Sequence, residues 1–173
     1  APTGRLWNEL WWAEGGRRRH VIRKRLLPLY DVFDEGRYFE AAPNPPPLVD
    51  FQGQRLGLSI CEDLWADPEL VQAPVTYACN PVADLAAAGA TLVLNASASP
   101  TFLGSWLPPG QAAPWAILSK AAQRHRLLTG LAGKYQIPFV YASRAGAEGS
   151  LLFDGGSGLA LPDGRCQMAE PFF

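Results

Sequence analysis

The stretch "LVDFQGQRLGLSICEDLW", residues 48–65, decides how this chain is read. Two apolar runs flank Gln52-Gly53, a pair that favours positive backbone φ, so the segment predicts a β-hairpin turning there. The second run, "RLGLSI", ends abruptly at Cys61. Two acids, Glu62 and Asp63, come next, then Leu64-Trp65. A turn at a strand end can expose a side chain and gather backbone N–H groups that would hold an oxyanion. Cys61 reads equally as a nucleophile held at a strand end and as a small buried hydrophobe. Taken alone, Glu62 and Asp63 read as turn acids.

Working outward, the chain alternates strands and helices. "GRLWNELWW" (4–12) and "RRRHVIRKRLL" (17–27) predict a hairpin closed by "AEGG", ending at Pro28. "YDVFDEGRYFE" (30–40) predicts a structured loop with a short helical turn. "AAPNPPP" (41–47) predicts a stiff, extended connection. "NPVADLAAAGA" (80–90) is a punctuated helix, with Asn80 as N-cap, Pro81 at the first position and Gly89 past the end. "TLVLN" (91–95) and "PFVYAS" (138–143) are strands. The segment 114–136 predicts a helix with Ile117, Ala121, Leu127, Leu128 and Leu131 at helical spacing. Residues 151–170 predict short strands between Gly and Asp turns. The pattern is that of an α/β layered protein.

Composition excludes several classes. Of 173 residues, 48% are apolar and 18% charged, with a net charge of −1. That is globular composition with no field favouring nucleic acid or a membrane. No apolar run is long enough to span a bilayer. Three cysteines, without CxxC or Cys/His spacing, argue against a disulfide framework or a zinc site and for a reduced, cytoplasmic setting. "FDGGSG" fits neither a dinucleotide nor a phosphate-loop fingerprint. His20 and His125 each stand alone and read as surface or half-buried histidines.

A reactive cysteine needs a cation beside it. The source in this sequence is "RKR" at 23–25. On a strand, Lys24 would share a face with His20 and Ile22, and Arg23 and Arg25 would share the other with Arg19 and Val21. The run therefore forms no uniform patch, and its plainest reading is a solvated edge strand.

Four blocks come in order: "RKRLLPLYDVFDEGRYFE" (23–40), "GLSICEDLW" (57–65), "LNASASP" (94–100) and "LLFDGGSGLALPDGR" (151–165). Together they resemble the carbon–nitrogen hydrolase (nitrilase-type) domain of glutamine-dependent NAD synthetases, from about Gly4 to Arg165. The block K-x-x-L-P-x-Y-x-x-F-D-E-x-R-Y-F points to this branch rather than to free-standing nitrilases, amidases or carbamoylases. The resemblance implies a four-layer α-β-β-α sandwich and a Glu-Lys-Cys triad that hydrolyses glutamine through a thioester. It implies no cofactor for that step. Ammonia would pass to a synthetase domain that uses ATP and Mg to amidate nicotinic acid adenine dinucleotide.

By position, Cys61 matches the nucleophile, and Lys24 the cation that stabilises the oxyanion with the backbone N–H of Glu62. Tyr30 and Phe33 match positions lining the glutamine pocket, and Glu35 an acid that could orient the lysine. Glu62 and Ser99 match positions that hold the α-amino and α-carboxylate ends of the substrate. The family commonly forms homo-oligomers.

The match also has gaps. The family's general-base glutamate lies upstream of the first hairpin, and neither Glu9 nor Glu14 matches it. Residues 1–173 therefore read as a hydrolase domain truncated at its N-terminal side, with the synthetase domain absent and the isolated chain nearly inactive. After "NASASP", residues 101–118 look inserted. The family's cation there is matched by spacing at Gly104-Ser105, and at Ser119-Lys120 by the helix sequence downstream of it. Lys120 is the preferred counterpart that would bind the glutamine carboxylate. Ser150 replaces an acid that the family often carries. These gaps leave two other readings open. One is a free-standing amidase or carbamoylase; the other is a non-catalytic remnant or interaction module, including a basic-hairpin nucleic-acid binder.

Overall fold

Strand β4 (Gln54–Ile60) is the spine of the fold. It turns back from β3 (Val49–Phe51) through Gln52 and Gly53, whose φ angles of 49° and 76° form the tight turn foreseen for this pair. On its other side β4 runs parallel to β5 (Leu92–Ser97), and β5 parallel to β6 (Phe139–Ser143). The strands β9 (Gly158–Ala160) and β10 (Cys166–Met168) close the sheet antiparallel, in the order β10-β9-β6-β5-β4-β3. Two hairpins stand apart: β1 (Glu9–Glu14) with β2 (Arg17–Arg23), and β7 (Ala145–Glu148) with β8 (Leu151–Asp154). The computed structural model describes residues 4, 6–71, 75–101 and 120–170.

Alternation along the parallel strands sorts the core into two layers. Val93, Phe139, Tyr141 and Ala160 face a helical layer of α1 (Pro81–Ala87) and α2 (Lys120–Tyr135), against Val82, Leu85, Leu127, Leu128 and Leu131. Gly57 lies on this face because α1 comes close: a Cβ there would meet Leu85 at 3.1 Å and Ala90 at 3.3 Å. On the opposite face, Leu56, Leu58 and Val49 pack with Ile22, Leu10 and Trp12 of the first hairpin. Helices, main sheet and the first hairpin give three successive layers of the sandwich.

The caps of α1 behave as its sequence dictates. Asn80 accepts a hydrogen bond from the Ala83 N–H at 3.1 Å, Pro81 opens the helix, and Gly89 lies just past its end at φ 86°. Helix α2 is described from Lys120. The expected start at 114, Ile117, and the proposed insertion beyond Thr101 lie outside the described residues.

The first hairpin is shorter than its sequence implies. β2 stops at Arg23, so the two-face alternation holds for buried Ile22 and Lys24 but fails at the next residue. Arg25 is only 8% exposed, where a solvated edge was the plain reading. Its guanidinium pairs with Asp84, and its backbone N–H donates to Asp63.

Candidate active site

The ends of the parallel strands converge on Cys61. The chain leaves β4 at Ile60 and turns into a short 3-10 helix, Cys61–Leu64. Cys61 takes a φ of +46°, a left-handed conformation that costs a non-glycine residue about 1–2 kcal/mol. Such strain persists only where the surroundings over-determine it, and it clusters at reactive sites. Ser97 and Ala98 stand at the corresponding end of β5, which places the thiol in the crevice at the carboxyl ends of the strands.

Asp63 supplies much of that over-determination. It is 2% exposed, and its Oδ1 accepts the backbone N–H groups of Arg25 at 3.1 Å and Leu26 at 2.9 Å. Its Oδ2 accepts the N–H of Ile60 at 3.1 Å. One carboxylate therefore ties the segment leaving β2 to the turn leaving β4. This corrects the reading of Asp63 as a turn acid: the chain ends it joins lie 37 and 38 residues apart in sequence, which local pattern cannot reveal. Burial pushes its carboxyl up to about 6, against the pull of those N–H groups and of Lys24.

That clamp fixes Lys24. Its side chain is buried, its backbone N–H donates to Asn8 and its carbonyl accepts from Ala42. The ammonium donates to both oxygens of Glu35, at 2.6 and 2.7 Å. Glu35 begins the 3-10 turn Glu35–Arg37, the short helical turn foreseen between 30 and 40. The acid expected to orient the lysine thus lies in direct contact with it. Glu9 is committed elsewhere, accepting from Arg23 and Trp11 on the first hairpin, and Glu14 is exposed.

The Cys61 thiol is held above its ordinary value by burial. The Lys24 ammonium, the Ser97 hydroxyl and the Ala98 backbone amide oppose that effect, and Glu62 adds to it. The lysine is thus close enough for its charge to act on the sulfur.

Glu62 is 4% exposed and accepts two hydroxyls on one oxygen: Tyr30 at 2.8 Å and Tyr77 at 2.8 Å, both on Oε1. Burial raises its carboxyl, and the two tyrosines, Lys24 and Lys120 counter the rise. Tyr30 packs edge-on against Phe33, with ring centroids 5.7 Å apart. Lys120, at the start of α2, lies 5.0 Å from the centroid of the Trp65 ring. Burial and Arg124 lower its ammonium, while Glu62 and Cys61 pull it back up. Six of the residues singled out in sequence, together with Lys120, are therefore joined around Cys61 by hydrogen bonds, a ring contact or charge. The competing candidate Ser105 lies outside the described residues, and Ser150 sits exposed in the β7–β8 turn.

Ser99 is buried beyond the end of β5, and its carbonyl accepts from Arg124 at 3.0 Å. Arg124 is 1% exposed and pairs with Asp154 at 2.6 Å. Sequence reasoning missed this arginine. Its signal was position: Arg124 falls on the apolar face of α2 with Leu127, Leu128 and Leu131, a costly place for a charge without a partner. Tyr77 was missed as well, because its connection between the 3-10 helix and α1 carries no motif.

No protein-family model matches the chain. It is 34% identical over 169 residues to the glutamine-dependent NAD(+) synthetase of Synechocystis, covering 98% of this chain and 27% of that protein. The chain thus spans about a quarter of the length of the curated relatives it matches. Among solved structures, the glutamine-dependent NAD+ synthetase of Acinetobacter baumannii in complex with ADP superposes on all of this chain and 28% of its own, at TM-score 0.77 and 26% identity. The Nesterenkonia amidase of the nitrilase superfamily covers 90% of this chain and 48% of its own, at TM-score 0.60 and 29% identity. A mutant of that amidase carries the acetamide moiety of fluoroacetamide on its active-site cysteine. In sequence the chain is similar to glutamine-dependent NAD(+) synthetases, and in fold to them and to amidases of the nitrilase superfamily.

Proposed function

We propose that this chain is the glutaminase part of a glutamine-dependent NAD synthetase. The observation that carries the reading is the pairing of a strained, strand-end cysteine with a buried lysine whose charge acts on the thiol. The Sγ of Cys61 attacks the side-chain amide carbon of glutamine. The oxyanion that forms faces the Lys24 ammonium and the backbone N–H of Glu62. The C–N bond breaks, the amide nitrogen takes up the proton that the thiol gave up and leaves as ammonia, and a thioester remains on Cys61. Water then cleaves the thioester to glutamate and restores the thiol. The active-site cysteine of the related amidase supports the same role for Cys61.

The remaining residues bind. Glu35 orients Lys24. Tyr30 and Phe33 line the glutamine side chain. Glu62 takes the α-amino group, and Ser99 with Lys120 takes the α-carboxylate. Recognising both ends separates a free amino acid from a side chain in a protein. The ammonia serves a synthetase domain that consumes ATP with Mg, and the whole enzyme is a cytoplasmic homo-oligomer. Among the described residues no group of three or more His, Cys, Asp or Glu is placed to hold a metal ion. No described helix is long and apolar enough to cross a membrane.

The test is glutamine hydrolysis by the full-length protein and its Cys61→Ala variant. We expect turnover to vanish in the variant while glutamine still binds. Retained turnover would sink the nucleophile assignment. Turnover of simple amides with none of glutamine would favour a free-standing amidase.

A further inference from the structure

We infer that Tyr77 is a positioning residue for amino-acid recognition: its hydroxyl, with that of Tyr30, fixes the Glu62 carboxylate so that one oxygen stays directed at the ligand. The inference rests on the reading of Glu62 as the contact for the α-amino group. Both hydroxyls, each at 2.8 Å, fall on Oε1, and among the described residues no hydrogen bond is made to Oε2. A carboxylate oxygen has two lone-pair directions, so two donors saturate Oε1 and leave Oε2 for an ammonium.

The two tyrosines come from different parts of the chain. Tyr30 lies just past the Lys24 segment. Tyr77 lies on the connection from the 3-10 helix to α1, and buried Asp67 fastens that connection near both ends. Asp67 accepts from Tyr135 at 2.8 Å and Lys134 at 2.9 Å, and from Asn80 Nδ2 at 3.4 Å. Tyr77 is therefore held from the helical layer and Tyr30 from the hairpin side. Glu62 is gripped between them and cannot swing toward Lys24, whose ammonium is already held by Glu35. The grip keeps the two acids in separate jobs, one on the lysine and one on the substrate. The hydroxyls also favour the charged form of Glu62 against its burial.

The experiment compares the full-length wild type with Tyr77→Phe and Tyr30→Phe, using glutamine and its analogue without the amino group, 4-carbamoylbutanoate. Either variant loses one hydrogen bond to a charged group, so KM for glutamine should rise about tenfold, with kcat falling less. Preference for glutamine over the des-amino analogue should fall by a similar factor. The acidic limb of the kcat/KM profile should move to higher pH, because removing a donor makes Glu62 easier to protonate. An unchanged preference and an unmoved limb in Tyr77→Phe, with the melting temperature kept or lowered, would overturn the inference. Absence of glutamine turnover in the wild type would overturn the glutaminase reading instead.

Discussion

Two buried cation–carboxylate pairs anchor this molecule, and they serve different ends. In Lys24–Glu35 the lysine side chain is 1% exposed, but the acid keeps 20% of its surface in water. In Arg124–Asp154 the figures are 1% and 9%. The lysine pair stands beside a thiol and a second acid, and its charge acts on both. The arginine turns its second terminal nitrogen to the backbone, donating to the Ser99 carbonyl. An ammonium is a compact charge that can serve a developing oxyanion, whereas a guanidinium fork locks planar acceptors in place. On the proposed reading the first pair serves the chemistry, while the second holds the chain at Ser99, just past β5.

The comparison breaks most visibly at Lys24. Lys24→Met should lower glutaminase turnover of the full-length protein by about 10³-fold, the effect of losing a principal oxyanion donor. The fold should survive, because Glu35 still reaches water. A loss under tenfold in steady-state kinetics would remove the lysine from the mechanism.

Arg124→Met should do the reverse. It leaves Asp154 buried without its cation, and breaking a buried pair by removing one partner costs about 3–5 kcal/mol. Chemical denaturation measures this directly. A change below about 1 kcal/mol, the range of an exposed pair, would show that the pair does not hold the fold.

Asp63 is where both kinds of role meet, since its carboxylate carries no chemistry yet sets where Lys24 stands. Asp63→Asn places an NH₂ against one or more of three backbone N–H donors. Leaving such a donor unsatisfied costs about 1–3 kcal/mol. Turnover at a temperature where the variant is folded should also fall, because the lysine segment loses its tie to the Cys61 turn. Equal activity in the folded variant would mean that the clamp is not needed for alignment.

These contrasts mark what could be read in the sequence. The hairpin at Gln52-Gly53, the caps of α1 and the strands β5 and β6 were legible because their signals are local: turn residues, a cap, a run of apolar residues. Cys61, Lys24 and Glu35 became legible through the resemblance, and spacing alone left the thiol undecided. Asp63, Tyr77 and Arg124 were not legible, for one shared reason. Each acts on a partner 15 to 38 residues away whose approach is set by the packing of layers. The alternation argument also failed at Arg25, because strand parity has no meaning once the strand has ended.

The smallest effect is the sharpest separator of the two pairs, because it reads the thiol rather than turnover or stability. Burial raises the Cys61 thiol and the Lys24 charge lowers it, so removing that charge must raise it further. The rate of alkylation by iodoacetamide, measured against pH, should therefore show a midpoint displaced to higher pH in Lys24→Met. The Arg124 guanidinium is committed to Asp154 and to the Ser99 carbonyl, and Arg124→Met, while folded, should leave the midpoint where the wild type has it. Equal displacement in both variants would mean that the thiol senses the general loss of buried positive charge, and the distinction between the pairs would fall. Displacement in Lys24→Met alone ties the lysine's charge to the sulfur without any assumption about which amide the enzyme hydrolyses.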